Sequence, residues 1–272
     1  MLGKIVIATP FYEGHGFAPY IRSLADSMRL LDQAGIEHDY FQLSGDSYVD
    51  RAKNSIVHHF LKDPNATHLM MIDSDEGWDV AGFGRVVKAA QMGCEIVGAL
   101  YPCKNNWTFY GGIPNVDNDT GQVMGKEVDG LRFLDMFCIP GGFVIYTRQA
   151  FERTRPVLDV YVDPETQDEI LEAFRCNIEI DGLKRHTAEE LADMDRETLM
   201  ALVLANQRGG RKGRRIGEDI YFQQRYKEQG GKIWCVPNVH IKHIGVNTWE
   251  GSYHDHLCAC RGIDPETGAA VE

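Results

Sequence analysis

The sequence has no continuous apolar run of about 18 residues, the length at which a stretch reads as a membrane-spanning helix. It begins Met1-Leu2-Gly3-Lys4 and enters a strand-like segment at once, without the regions of a signal peptide. The seven cysteines are an odd number and form no zinc-type Cys-x-x-Cys pair. These absences predict a cytoplasmic protein with reduced thiols and neither leader nor membrane span.

Basic residues are outnumbered, since 28 lysines and arginines face 40 aspartates and glutamates, for a net charge of -12. Such a surface repels nucleic-acid phosphates, which excludes a globally basic DNA-binding protein. One segment departs from this balance, because residues 208–215 read Arg-Gly-Gly-Arg-Lys-Gly-Arg-Arg. This basic loop is either solvated or faces a negative partner; its candidate contacts are Arg211, Lys212, Arg214 and Arg215.

Apolar spacing predicts a β-α-β-α-β-α-β order over the first hundred residues. The predicted strands are 5–8, 40–43, 69–72 and 96–100, and the predicted helices are 18–31, 50–61 and 81–92. Asp50 is the predicted N-cap of the second helix. Strands and helices that alternate at this spacing form a mainly parallel sheet covered on both faces, which predicts an α/β fold.

The second half of the sequence is less regular. Glycine, Asn-Asp and Asp-Gly pairs between 111 and 132 predict hairpin strands near the sheet edge. Strands are predicted at 143–146 and 232–236. A capping-box sequence, Thr187-Ala-Glu-Glu190, predicts a helix up to residue 207, inside an insertion (184–216) that interrupts the α/β alternation.

Asp73-Ser74-Asp75 directly follows the apolar strand Leu69-Met70-Met71-Ile72. Carboxylates at the carboxyl end of a strand lie where α/β proteins bind ligands, and their oxygens are ligands that hard divalent cations prefer. The pattern indicates a metal ion that holds a diphosphate, although an acidic strand-to-loop turn has the same sequence.

Two further groups stand at predicted element ends. Glu218 and Asp219 open a helix, where acids also interact favourably with the helix dipole. His243 ends a late strand, where it would approach the metal or have a structural role. The two acids and the histidine are therefore candidates for catalysis and metal binding.

Taken in chain order, these motifs resemble those of the GT-A glycosyltransferases. The order is Thr9-Pro10 after a strand, Asp50-Arg51-Ala52-x-Asn54, Asp73-x-Asp75, Gly141-Gly142-Phe143-x-Ile145, Glu218-Asp219-x-x-Phe222 and His243-Ile244-Gly245. The resemblance covers roughly residues 3–250 and extends to fungal Anp1-type mannosyltransferases and phage-encoded members. It implies one GT-A domain, a Rossmann-like three-layer α/β/α sandwich with a mixed, mainly parallel sheet and a helical insertion. Its parts are a nucleotide-sugar-binding half (1–105), an acceptor and catalytic half (106–250) and a tail (251–272).

The resemblance also implies the chemistry. A sugar would pass from a nucleotide-sugar, UDP-sugar before GDP-sugar, to an acceptor hydroxyl, while Mn²⁺ or Mg²⁺ on Asp73, Asp75 and His243 stabilises the departing diphosphate. The residues that match nucleotide-sugar contacts are Thr9, Pro10, Tyr12, Arg51, Asn54, Asp73 and Ser74; Tyr12 is equally compatible with core or surface. Lys104, just after the fourth strand, would contact donor, acceptor or solvent.

Asp219, beside Glu218, matches the base of inverting members, in which a carboxylate takes the proton of the acceptor hydroxyl. The long insertion before Gly217 and the missing Gln-x-x-Arg-Trp signature leave the stereochemical outcome open. Gly141 and Gly142 would let the backbone pass close to sugar or acceptor, or form a plain turn. Trp249 would stack on a sugar or base, or pack in the core.

The acceptor is the open question. The basic loop ends close to Glu218, so it would be a lid over the diphosphate or a grip on a polyanionic acceptor. A hydroxymethylated pyrimidine in phage DNA is slightly favoured over a glycan, protein or lipid-linked acceptor. The rival classes are a nucleotidyltransferase, whose usual glycine-rich signature Thr9-Pro10-Phe11-Tyr12 does not supply, and a non-catalytic nucleotide-sugar binder. The oligomeric state is not determined by the sequence.

Overall fold

A computed structural model describes residues 3–12, 14–104, 108–109, 112–180, 193–199, 213–245 and 248–270. The helices are α1 Ala18–Gln33, α2 Val49–Lys62, α3 Val80–Gln91, α4 Arg148–Thr154, α5 Glu218–Glu228 and α6 Tyr253–Cys260, with a 3-10 turn at Arg155–Val157. The first strands are β1 Lys4–Phe11, β2 His38–Ser44, β3 Ala66–Ile72, β4 Glu76–Trp78, β5 Ile96–Gly98, β6 Ile113–Pro114, β7 Gly125–Val128 and β8 Leu131–Cys138. The later strands are β9 Phe143–Thr147, β10 Val160–Val162, β11 Glu169–Leu171, β12 Asn177–Ile180, β13 Gly213–Ile216, β14 Ile233–Cys235, β15 Ile241–Ile244 and β16 Thr248–Gly251.

The chain divides into two compact units, Met1–Arg175 with Glu218–Glu272, and Cys176–Gly217. The first unit contains the central sheet. The second contains the predicted insertion, and in its described part β12 pairs antiparallel with β13. The helix predicted between 187 and 207 lies for the most part outside the described residues.

The central sheet has the strand order β2-β1-β3-β9-β5-β14-β8-β6, with β7 also paired to β8. Strand β1 is parallel to β2 and β3, and β5 is parallel to β14. Strands β9 and β8 run against all their neighbours. The predicted α/β class with a mixed, mainly parallel sheet is confirmed, as are the hairpin strands expected near the edge.

Helices cover both faces of this sheet because successive strand residues point to opposite sides. Ile5, Ile7, Met70 and Ile72 share one apolar cluster with side chains of α1 and α3. On the other face, rings of α2, α4, α5 and β9 pack together: Phe60, Phe151, Phe222 and Tyr146, joined by Phe174. The molecule therefore has the three layers that the resemblance implied.

Two local expectations are corrected. The N-cap of α2 is Tyr48, and Asp50 lies inside the first turn without capping it. Its negative charge there still meets the positive end of the helix dipole. A three-residue strand, β4, follows Asp-x-Asp and pairs with β15, where the sequence indicated only a loop.

Within the described ranges, every helix is too short or too polar to serve as a membrane span. No disulfide bond joins any two of the seven cysteines, all of which lie within the described residues.

Candidate active site

The Asp-x-Asp carboxylates lie at the carboxyl end of β3, beside the start of β9. Because β9 is antiparallel to β3, Phe143 pairs with Ile72, and the glycines before Phe143 lie next to Asp73. The Asp73 N–H donates to the Gly142 carbonyl over 2.9 Å. A Cβ at position 142 would lie 2.6 Å from the Tyr101 hydroxyl and 2.8 Å from Asp73 Oδ2. Glycine is thus required there by close packing.

His243 lies next to Asp75 because β15 pairs with β4 directly after the motif. The Ile244 N–H donates to the Asp75 carbonyl over 2.9 Å, and His243 Nε2 is 4.0 Å from Asp75 Oδ2. The other ring nitrogen, Nδ1, is 2.7 Å from the Pro102 carbonyl oxygen. Since a carbonyl only accepts, Nδ1 is the protonated nitrogen and Nε2 presents its lone pair towards Asp75.

Burial favours the neutral form of this imidazole. Burial lowers the pKa of His243, with Lys104 acting in the same direction, against opposing effects of the Pro102 carbonyl and Asp75. A neutral imidazole is the form that ligates metals. Lys104 forms an ion pair with Asp75, so the lysine, the carboxylate and the histidine meet at one place.

A buried lysine, Lys53, joins the two halves of the site. Its Nζ donates to Glu218 Oε1 over 2.9 Å, and its side chain is only 3% exposed. Burial alone would lower the pKa of Lys53, but Asp73, Glu218 and Asp219 raise it above its ordinary value. Lys53 is therefore a fixed positive charge between the carboxylates that end β3 and those that begin α5.

Asp219 is held from two sides at the start of α5. Its Oδ2 accepts from the Gly141 N–H and its Oδ1 from the Ile220 N–H, both over 2.7 Å. Burial raises the pKa of Asp219 and Glu218 raises it further, against the lowering effect of Lys53. A carboxyl group with a raised pKa accepts a proton more readily, which suits a general base.

The cluster contains more negative charge than its cations neutralise. Burial raises the pKa of Asp73 despite the nearby Lys53. Burial, together with the charges of Asp73 and Asp75, raises the pKa of Glu76 well above its ordinary value, although Lys53 and Tyr101 oppose this. Neither Glu76 oxygen has a hydrogen bond of normal geometry within the described part of the chain. Such a surplus of carboxylates favours an added cation.

A cavity of about 380 Å³ opens beside Asp-x-Asp. Its walls come from the ends of β1, β2 and β3 and from the start of α2; among the predicted residues they include Pro10, Tyr12, Asp73, Ser74 and Asp75. A concave site at the carboxyl ends of parallel strands is the usual ligand position in an open α/β sheet.

Three predicted nucleotide contacts have other partners. The buried Thr9 hydroxyl is 2.6 Å from the Tyr20 hydroxyl. The Asn54 amide donates to the Phe174 carbonyl and accepts from its N–H, both over 2.8 Å. Arg51 makes a bidentate contact with Asp46, whose side chain helps to line the cavity. Thr9 and Asn54 use their hydrogen bonds within the fold, so we leave them out of the proposed nucleotide contacts.

The predicted acceptor residues lie only partly within the described residues. Arg211 and Lys212 lie outside the described residues. For Arg214 in β13 and Trp249 in β16 the backbone alone is described, with Trp249 paired to His243. Arg215 is exposed in the second unit.

Sequence reasoning missed Lys53, Glu76 and Asp46. Lys53 had a signal, because it falls three, four and seven residues before Ile56, Val57 and Phe60 on the buried face of α2. A lysine in an apolar stripe is seldom buried unless it is paired. Glu76 and Asp46 stand in short or irregular segments, where spacing gives no indication of direction.

Comparisons with known proteins leave the family open. No protein-family model and no curated protein matches the chain. Similar solved structures include A197 from STIV, with 15% identity, a TM-score of 0.45, and coverage of 89% of this chain and 86% of that one. GalNAc-T7, solved with UDP, GalNAc and Mn²⁺, has 13% identity and a TM-score of 0.46, over 90% of this chain but only 44% of its own. A glycosyltransferase involved in glycosylation of the major capsid of PBCV-1 has 12% identity and a TM-score of 0.32, over 54% and 61%. Likenesses this low assign no activity to the chain.

Proposed function

We propose that the chain is a metal-dependent glycosyltransferase of the GT-A type, which transfers a sugar from a nucleotide-sugar to an acceptor hydroxyl. The observation that carries the proposal is the meeting of two carboxylate pairs, Asp73 with Asp75 and Glu218 with Asp219, around the buried Lys53. One pair lines the cavity, and the other begins helix α5 and is linked to Asp73 through Lys53. This arrangement supplies a cation site and a base from separate elements.

The metal proposal is supported by the chemistry of the donor set. Carboxylate oxygens from Asp73 and Asp75 are ligands that Mn²⁺ and Mg²⁺ prefer, and the lone pair of His243 would add a nitrogen ligand, which Mg²⁺ seldom takes. Within the described ranges no three such side chains already surround one point, so water and the donor diphosphate would complete the coordination shell. The ion would stabilise the negative charge of the leaving diphosphate.

The nucleotide would occupy the cavity beside Asp-x-Asp. Pro10 and Tyr12 present apolar and aromatic surface there, and Tyr12 is 65% exposed, so its ring is accessible to a base or ribose. Ser74 and Asp46 add polar atoms to the walls. We favour a UDP-sugar, with a GDP-sugar as the alternative.

Asp219 is the proposed base. Its carboxylate is fixed by the Gly141 and Ile220 N–H groups, so it would take the acceptor proton without first reorganising. Glu218 is tied to Lys53 and would act by holding that lysine in place. In-line attack by the deprotonated oxygen would invert the anomeric centre.

For the acceptor we keep the slight preference for a hydroxymethylated pyrimidine in DNA, with a glycan, protein or lipid-linked group as alternatives. Neutralising Arg211, Lys212, Arg214 and Arg215 together should weaken DNA binding and flatten its salt dependence. Unchanged turnover on DNA with weaker donor binding would instead make the basic loop a lid.

A thermal-shift panel of UDP-, GDP-, CMP- and TDP-sugars, with and without Mn²⁺, tests the proposal. We expect one donor to raise the melting temperature in the presence of metal, and Asp75→Ala to abolish that rise. No shift with any donor would contradict the proposal. A metal-dependent shift without turnover on any acceptor or water would favour a nucleotide-sugar binder.

A further inference from the structure

The metal position that we propose is already in contact with a positive charge of the protein. Lys104 Nζ forms its ion pair with Asp75 Oδ2. The same oxygen lies 4.0 Å from His243 Nε2. The ammonium group and the proposed metal ligands therefore share one carboxylate oxygen.

This position of the lysine is supported by the surrounding backbone. A Cβ at position 245 would lie 3.2 Å from Lys104 Cδ and 3.3 Å from its Cβ and Cγ. These distances are shorter than ordinary contacts, so the missing side chain of Gly245 leaves room for the lysine stem. Gly245 directly follows β15, the strand that carries His243. The segment that presents the histidine thus also accommodates the lysine.

An ammonium group and a divalent ion compete for the negative charge of this oxygen. Metal coordination needs one lone pair of Asp75 Oδ2 at about 2.0–2.1 Å for Mg²⁺, and the lysine hydrogen bond to the same oxygen makes it a weaker donor to the metal. Two cations at such a separation also repel each other strongly. Lys104 is 46% exposed and Asp75 22% exposed, so the ion pair is weak enough to be broken.

We propose that Lys104 competes with the divalent cation for Asp75 and weakens metal binding for as long as it stays on this carboxylate. The inference rests on the metal site of the proposed function. In the metal-free protein the lysine screens Asp75 from Asp73 and Glu76, which limits repulsion within the acidic cluster. After displacement the ammonium group would lie near the diphosphate of a bound donor. Metal binding would therefore free Lys104 to contact that donor.

Manganese binding without any donor tests this inference. MnCl₂ is titrated into the full chain, and free Mn²⁺ is followed by electron paramagnetic resonance. Lys104→Gln should bind Mn²⁺ roughly two- to fivefold more tightly than the wild type, the range expected from loss of a partly exposed ion pair. Lys104→Arg keeps a cation and should not show that gain.

Lys242→Gln is the matched control for a general change in charge. Lys242 is 45% exposed, neighbours His243 in sequence, and pairs with Glu250 instead of Asp75. It should leave Mn²⁺ affinity within about twofold of the wild type, because its carboxylate partner is outside the site. An equal gain in Lys104→Gln and Lys242→Gln would show a general charge effect and overturn the inference.

Asp75→Asn separates the two possible failures. If it removes Mn²⁺ binding while Lys104→Gln binds no more tightly than the wild type, the metal site stands and the competition is wrong. If Mn²⁺ binding is unaffected by Asp75→Asn, the proposed metal site itself is wrong, and the inference fails with it. Melting temperatures measured without metal verify that each variant is folded.

Discussion

Helix α2 has a cation near each end, and the two cations have opposite kinds of partner. Near its start, Lys53 lies among the carboxylates of Asp73, Glu218 and Asp219. Beyond its end, the guanidinium of Arg148 donates over 2.6–3.3 Å to backbone carbonyls, those of Phe60, Leu61, Asp63 and Ala66. One cation is surrounded by charge and the other by neutral dipoles.

The difference separates structural groups from groups available for binding. Two of the carbonyls that Arg148 contacts, those of Phe60 and Leu61, lie in the last turn of α2, where a helix leaves its carbonyls without i+4 partners, so the arginine completes that helix end. Around Lys53 the carboxylates outnumber the cation, and the pKa values of Asp73, Asp219 and Glu76 are raised. That region retains a demand for positive charge, which a metal ion would meet.

Replacement of the two cations by methionine should have the largest effect on stability. Lys53→Met leaves buried carboxylates without a counter-charge and should lower the free energy of unfolding by about 3–5 kcal/mol. Arg148→Met leaves carbonyls unsatisfied and should cost about 1–3 kcal/mol. Urea denaturation measures both.

The two variants should differ in rescue and in function. Adding Glu218→Gln to Lys53→Met should recover part of the lost stability, because one of the uncompensated charges is removed. Arg148→Met should keep wild-type Mn²⁺ and donor binding once folded. Equal loss of donor binding in both variants would contradict the distinction between the two ends of α2.

His68, which lies away from the site, should make the stability of the protein depend on pH. Burial lowers the pKa of His68 from 6.5 to about 4. The unfolded chain therefore takes up a proton between pH 6.5 and 4 that the folded protein refuses, so stability falls on acidification. Protonation of His68 in the unfolded chain should lower the free energy of unfolding by about 3 kcal/mol over this range. Denaturation curves should show a shallower loss over this range in His68→Gln than in the wild type; parallel curves would contradict it.

Gly142→Ala tests the close packing at the site. The added methyl group would press on Asp73 Oδ2, the Tyr101 hydroxyl and Glu76 Oε1. Gly142→Ala should lower the free energy of unfolding by about 1–3 kcal/mol and weaken Mn²⁺ binding. Gly84→Ala in α3 is the control, since its Cβ meets a flexible Leu30 methyl at 3.2 Å and alanine favours the helix. Equal stability of the two variants would show that the site has spare room.

Glu76→Gln should reveal a pH dependence of stability opposite in sign to that of His68. The folded-state pKa of Glu76 is raised above 4.5, so folding favours the protonated form and stability falls as pH rises above that value. Glu76→Gln should remove this loss in metal-free protein. Stability curves in EDTA at pH 5 and pH 8 measure it, and a larger fall in the variant than in the wild type would count against it.

The order of elements could be predicted because apolar spacing follows the sheet and helix periods over long segments. Strand β4 could not, since three residues carry no periodicity. The helix boundary at Asp50 was misplaced because acids occur both at the N-cap and in the first turn.

The candidate site likewise contains residues that the sequence could predict and residues that it could not. Asp73, Asp75, Glu218 and Asp219 stand at element ends, so their position at one sheet edge follows from topology alone. The inward direction of Thr9 and Asn54 depends on hydrogen bonds to Tyr20 and Phe174, which lie 11 and 120 residues away in sequence and give no local signal. The ion pair of Lys104 likewise arises from tertiary placement.

The rate at which the Asp219→Asn variant releases nucleotide from the donor tests the central claim most directly. At saturating UDP-sugar and Mn²⁺, turnover to acceptor or water should fall about 10²–10⁴-fold, while donor binding is retained, because the base acts only on the reacting proton. Asp135→Asn is the control, since Asp135 accepts from the Asn115 amide over 2.6 Å at the other side of the sheet. Turnover within about tenfold of the wild type would contradict a base at Asp219, and loss of donor binding would make this carboxylate structural.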